Sequence, residues 1–296
     1  MDPKLRVCMP PDPNPKKPKF TPPSGACDTH CHIFGPPEVF PYSDRRRYTP
    51  PAAPFEHYMM MLDIIGIDRG IVVQPNVHDT DNRVSLDAIA RSGGRLRGVG
   101  RIDDDTTDRD IQVMHEGGIR GIRLEFVAGR RGSTNLPLFE RMIERVRPLG
   151  WHVELHVDPE VLIANADWFR ALDLTSVIDH MARIQTADGI HQPAFRLLLE
   201  LMERPNYWVK ISGADQRTTA PYPYKDLVPF AHTLIETASD RVLWGTNWPH
   251  GNMFEHGRTP NDGLLLDLML DFAPNESIRN KILVDNPARL FGFDNQ

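Results

Sequence analysis

CDTHCHIF, residues 27–34, is a short run in which Asp28 precedes two histidines one residue apart, His30 and His32. In an extended chain alternate side chains share a face, so His30 and His32 point the same way. What that face looks into depends on the rest of the chain. Seven runs of similar character follow: GIVVQP (70–75), LRGVGRI (96–102), GIRLEF (121–126), HVELHV (152–157), SVIDH (176–180), YWVKIS (207–212) and VLWGTN (242–247). Stretches of helical period separate them, among them PFEHYMMMLDIIGI (54–67) and LPLFERMIERVRPLG (136–150). Eight strands alternating with helices predict parallel βαβ units, and that number suits an α/β fold closed as a (β/α)8 TIM barrel. A doubly wound open sheet is the second reading. Against it, no glycine-rich phosphate turn follows the first strand, and neither a Rossmann fingerprint nor a Walker loop is present.

The barrel is expected to span residues 26–296 as one domain, behind an extended proline-rich arm over residues 1–25. Gly35 to Pro54, rich in proline and aromatics, reads as a long ordered loop after the first strand. A net charge of −6 with 25% charged residues leaves no basic stripe for nucleic acid and no polybasic membrane patch. No apolar run approaches the roughly 20 residues that span a bilayer. Proline and lysine stand where a signal peptide needs an apolar stretch, and Cys8, Cys27 and Cys31 form no disulfide framework. A cytoplasmic protein is expected.

Functional side chains of a barrel sit at the carboxyl ends of its strands. Those ends carry His30 and His32, Gln74 with nearby His78, Arg123 with Glu125, His156, His180, Ser212 and Asn247. Two imidazoles on one strand face can bind one borderline metal such as Zn²⁺, with a third ligand from elsewhere and an open position for water. His156 could be that third ligand, which leaves His180 free as an acid, a base or a carbonyl-polarising group.

The segments DTHCHIFG (28–35), HEGGIRGIR (115–123), VIDHM (177–181) and WGTNWPH (244–250) resemble the amidohydrolase superfamily. More narrowly they are similar to the branch containing 2-pyrone-4,6-dicarboxylate lactonase and 4-sulfomuconolactone hydrolase. The resemblance runs from FTPPSGACDTHCHIFGP (20–36) through DTDNRVSLDAIAR (79–91) to DNPARLFGF (285–293). It implies hydrolysis of a lactone in the degradation of aromatic acids.

Two departures qualify it. Asn247 stands where the family has a catalytic aspartate, and an amide has no useful basicity near neutral pH. That implies a substrate-trapping or weakly active form. His156 stands where the pyrone lactonase has tyrosine, as metal-dependent members do. The resemblance then implies His30, His32 and His156 as ligands of one Zn²⁺, with Mn²⁺ second and a metal-free site as the alternative.

An anionic substrate needs fixed cations. Arg123, Arg130 (or its neighbour Arg131) and Arg217 are the candidates, the last by its match to a carboxylate-holding arginine of the pyrone lactonase. His78 and Ser212 are expected to add hydrogen bonds, and Asn247 and His180 to flank the reacting carbonyl. Arg45, Arg46 and Arg47 read as a solvated charge run. The partner expected is a small anionic lactone. Other readings are a metal-dependent decarboxylase of the same superfamily, or a non-catalytic binder of an aromatic-derived acid.

Overall fold

The structure, a computed structural model, describes residues 5–127 and 134–293. All eight expected runs are strands: β1 Cys27–Cys31, β2 Arg69–Val73, β3 Leu96–Gly100, β4 Ile119–Phe126, β5 His152–Val157, β6 Ser176–Ile178, β7 Tyr207–Lys210 and β8 Val242–Leu243. They pair in parallel in chain order. The last gap closes just past β8, where Trp244 O accepts from the amide and hydroxyl of Thr29 at 3.0 and 2.8 Å. Trp248 O accepts the His32 amide at 2.8 Å. The fold is a (β/α)8 TIM barrel in a single domain.

The helices form where apolar residues recur every three or four positions. In α1, Phe55–Ile65, the buried positions are Tyr58, Met61, Leu62 and Ile65, and Gly66 ends the helix in the left-handed region. Helices α2 (Arg83–Arg91), α3 (Asp108–Glu116) and α4 (Leu136–Val146) follow the next three strands. No helix among the described residues is long and apolar enough to cross a membrane.

Period-two alternation sorts the strand residues between two compartments. On β5, Val153, Leu155 and Val157 join the outer core against the helices, while His152, Glu154 and His156 take the other face. The β4–β5 register sets Arg123 opposite Glu154 and Glu125 opposite His156. A second apolar cluster of Cys27, Ile71, Val73, Val99, Val177, Trp208 and Leu243 fills the barrel floor together with Phe291 and Phe293. The His152 ring meets Phe291 edge-on, with centroids 5.1 Å apart. Charged side chains lie above this floor, and the histidines above them.

The N-terminal arm stitches two loops at the barrel mouth. Cys8 donates its amide to Thr49 O and Thr49 returns its own to Arg6 O, both at 2.9 Å. Met9 donates to Met253 O at 2.7 Å, and Lys16 to Asn261 Oδ1 at 2.9 Å. The arm passes so close to the segment after β8 that a Cβ on Gly263 would lie 1.8 Å from Lys16 O. Only glycine fits there.

Candidate active site

Asp28 anchors the first strand end. Its buried carboxylate accepts the amides of His30 at 3.1 Å and Thr246 at 2.9 Å, the Thr246 hydroxyl at 2.6 Å and the Tyr58 hydroxyl at 3.1 Å. Burial still outweighs these bonds and pushes its pKa up to about 6. The His30 carbonyl accepts the Asn247 amide at 2.8 Å, which binds the β8 end to β1. Asn247 takes a left-handed backbone, φ 65°, a conformation asparagine tolerates better than most residues.

The VIDHM motif forms an unusual turn. His180, Met181, Ala182 and Arg183 all have φ between 50° and 55°, one turn of left-handed helix with no glycine in it. That handedness costs roughly 1–2 kcal/mol per residue, so the surroundings must impose it. Arg217 Nη1 donates to Arg183 O at 2.8 Å. Ser212 Oγ lies 2.7 Å from His180 Nδ1. Gly213, at φ 64°, lets the following strand end approach, since a Cβ there would sit 3.2 Å from the same nitrogen. The turn delivers His180 and Arg183 to one site.

Beneath His180 lies a layer of buried charge. Asp179 accepts Arg123 Nε on Oδ2 at 2.8 Å, and its Oδ1 is 3.4 Å from Lys210 Nζ. Lys210 also donates to Glu154 and lies 3.2 Å from His30 Nδ1. Burial alone would raise Asp179, yet Lys210 and Arg123 hold it well below the usual carboxylate range. Burial, and then the neighbouring cations, keep His30 neutral. Burial and the nearby imidazole of His30 do the same for His180. His32 is pushed down to about 3 by burial and the Arg123 guanidinium.

His32, Arg123, His156, His180, Arg183 and Asn247 line a small chamber of about 50 Å³ with Tyr48, Asn76 and Asn252. Shared walls connect it to a cleft of about 610 Å³. Arg45, Arg46, Arg47 and Arg101 line one side of that cleft, and Leu138, Phe139 and Met142 another. The three consecutive arginines therefore face the cleft, not open solvent alone as their sequence suggests.

Other expected residues take different places. His156 lies 2.9 Å from Glu125 Oε1 through Nδ1, and its Nε2 is 3.1 Å from Arg183 Nη1. His78 lines neither the chamber nor the cleft: its Nδ1 meets Pro41 O at 3.2 Å and its ring packs 5.1 Å from Tyr42. It pins the loop after β1. Arg217 is buried and also lines neither space, and Ser212 contacts His180. Arg130 and Arg131 lie outside the described residues. Sequence reasoning missed Asp179, Lys210, Glu154 and Arg183. The signal for Lys210 and Glu154 was a charge at the inward period of a buried strand, in YWVKIS and HVELHV.

His30, Asp179 and His180 bring ligand-type atoms within 4.8 Å of one another, a group that could hold a metal ion. The expected set of His30, His32 and His156 does not converge in this way among the described residues. The surroundings of the observed group do not fit a divalent cation. Asp179 is already engaged by two cations, and His30 Nδ1 lies 3.2 Å from an ammonium as well as 3.3 Å from the Asp179 carboxylate. Two buried cations so near repel a third.

Residues 27–293 match the amidohydrolase family model. The chain is 43% identical over 275 residues to a 4-sulfomuconolactone hydrolase from Hydrogenophaga intermedia, covering 93% of this chain and 91% of that protein. It is 40% identical over 287 residues to a 2-pyrone-4,6-dicarboxylate hydrolase from Comamonas testosteroni, with 94% and 93% covered. A crystal structure of an Agrobacterium tumefaciens protein superposes with a TM-score of 0.82 at 31% identity, covering 94% of this chain and all of the other.

Proposed function

The chain belongs to the amidohydrolase family, and we propose that it hydrolyses a small lactone bearing two anionic groups, of the 4-sulfomuconolactone or 2-pyrone-4,6-dicarboxylate type. The observation that carries this reading is the chamber, where neutral imidazoles of His32 and His180 face the guanidinium groups of Arg123 and Arg183. Relatives acting on such lactones, 40–43% identical over more than nine-tenths of the chain, support it.

In this reading Arg183 and the free edge of Arg123 hold a carboxylate or sulfonate, which a guanidinium can grip by two parallel bonds. Ser212 Oγ lies 2.7 Å from His180 Nδ1, and in this reading the hydroxyl donates there, so that His180 carries its proton on Nε2 and donates to the lactone carbonyl. A neutral imidazole can act as such an electrophile. His32 is fixed the other way. Its Nδ1–H donates to Val73 O at 2.7 Å, which leaves the Nε2 lone pair for a water that Asn247 orients.

Water oxygen bonds to the acyl carbon, the ring C–O bond breaks, and the departing oxygen takes up a proton. With His32 down at about 3 and an amide at position 247, removal of the water's proton is the weak step. The reading is metal-free, because Arg123 and Lys210 already neutralise Asp179.

The test is a pH-stat assay of both lactones with product identification. Consumption of one equivalent of base without gas supports hydrolysis. Release of carbon dioxide would move the protein to the decarboxylases, and binding with no turnover, even in an Asn247→Asp variant, would make it a binder.

A further inference from the structure

We propose that Lys210 is a positioning residue that fixes the proton of His30 on Nε2, converting a nitrogen that could have ligated a metal into a hydrogen-bond donor beside His180. The inference deepens the hydrolase reading and rests on it only for what the donor meets.

The geometry is a count of donors and acceptors. Lys210 is fully buried, and an ammonium carries three N–H donors and no acceptor. It bonds Glu154 Oε1 and His30 Nδ1, the latter at 3.2 Å, and is ion-paired at 3.4 Å with Asp179 Oδ1, to which it makes no hydrogen bond. An ammonium can only donate, so the bond to His30 forms only if His30 Nδ1 offers its lone pair.

The competing tautomer would donate Nδ1–H to Asp179 Oδ1, 3.3 Å away. That arrangement points an imidazole N–H at an ammonium N–H and leaves a buried donor of Lys210 unmatched, at a cost of about 1–3 kcal/mol. The Nε2–H tautomer removes the conflict. It also leaves Nε2 as a buried donor without a partner among the described residues, beside the His180 ring at a centroid distance of 4.4 Å. A site that keeps an unmatched buried donor is built to receive an acceptor.

His32 supplies the contrast, since its Nδ1 meets a backbone carbonyl and its proton therefore sits on Nδ1. The two histidines of one HxH pair thus carry opposite tautomers, one a donor and the other an acceptor. Lys210, two strand positions before Ser212, sets the first.

The full-length protein labelled with ¹⁵N-histidine tests this without substrate. Long-range ¹H–¹⁵N correlation reads which ring nitrogen carries the proton, with His30 assigned by comparison to His30→Asn. The expected result is Nε2–H in His30 of the unaltered chain, and Nδ1–H there would overturn the proposal. A Glu154→Gln/Lys210→Met double variant removes the ammonium without stranding a buried charge. In it the His30 proton should move to Nδ1, and Co²⁺ affinity, followed by d–d absorption, should rise about tenfold or more. The kcat for a lactone should fall about 10²-fold, as for loss of one preorganised carbonyl donor, with KM nearly unchanged. Retention of Nε2–H in the double variant, or stoichiometric Co²⁺ ligation by His30 in the unaltered chain, would sink the idea. Failure of both lactones to turn over while the tautomer stands would overturn only the hydrolase reading.

Discussion

Arg217 Nη1 donates to the carbonyl oxygen of Arg183 at 2.8 Å, and this bond braces the left-handed turn that presents His180. Burial pulls the Arg217 guanidinium down to about 10, still charged at neutral pH. Arg217→Met should therefore cost about 1–3 kcal/mol of stability, the penalty of a lost charge-assisted bond and an unmatched carbonyl. It should lower kcat for mono- and dianionic lactones alike. Thermal unfolding and a two-substrate comparison check this, and a loss confined to the dianion would instead make Arg217 a direct anion binder.

Asn247→Asp places a base at a position whose left-handed backbone aspartate also tolerates. The variant should raise kcat by about 10²-fold, the ordinary contribution of a general base, with KM little changed. Its rate should fall as pH drops through the new carboxyl's pKa, because only the carboxylate accepts a proton. Steady-state kinetics against pH provide the check.

Acid should unfold the protein early. His30, His32 and His180 are held neutral, the second down to about 3, so their folded-state pKa values lie below the unfolded value. Groups depressed in this way lend stability that is full above about 6.5 and is lost as pH falls towards the folded value, at up to about 1.4 kcal/mol per unit for each. Asp28, raised to about 6 by burial, acts in the opposite sense, favouring the folded state as it takes up a proton. Three imidazoles outweigh one carboxyl. The melting temperature should decline steadily from pH 6.5 to 4, and His32→Asn should flatten that slope.

The arm is the fourth target. Removing residues 1–13 deletes the bonds that tie Thr49 and Met253 to Arg6, Cys8 and Met9, and the stacking of Arg6 over Phe254 at 3.9 Å. Tyr48 and Asn252, next to those anchors, line the chamber. Misplacement there should lower kcat/KM roughly tenfold or more while the barrel's circular dichroism is retained. Unchanged kinetics would reduce the arm to a packing element.

The barrel could be read from the chain because its eight apolar runs keep their type whatever their neighbours do. His30 and His180, expected at the ends of the first and sixth strands, have ring centroids 4.4 Å apart. The expectation of a metal came from residue type, and type does not say which way an imidazole is turned. Lys210, on β7 while His30 is on β1, decides that through a contact between positions 180 residues apart. The left-handed turn was hidden for a different reason: His180, Met181, Ala182 and Arg183 carry no glycine to announce it. Arg45 to Arg47 looked like surface because a run of like charge usually is, and only the folded course of the loop turns it over the cleft.

Phe291 and Phe293 belong to the apolar cluster that closes the floor beneath the charged layer, opposite the arginine-lined cleft. On the proposed reading, hydrolysis of a dianionic ring leaves a product with one further carboxylate, and that trianion must depart past the arginines that drew its precursor in. Traffic through this vestibule runs against its own attraction on the way out. Discharge of product, more than capture of the lactone, then sets the pace once the chemical step is fast.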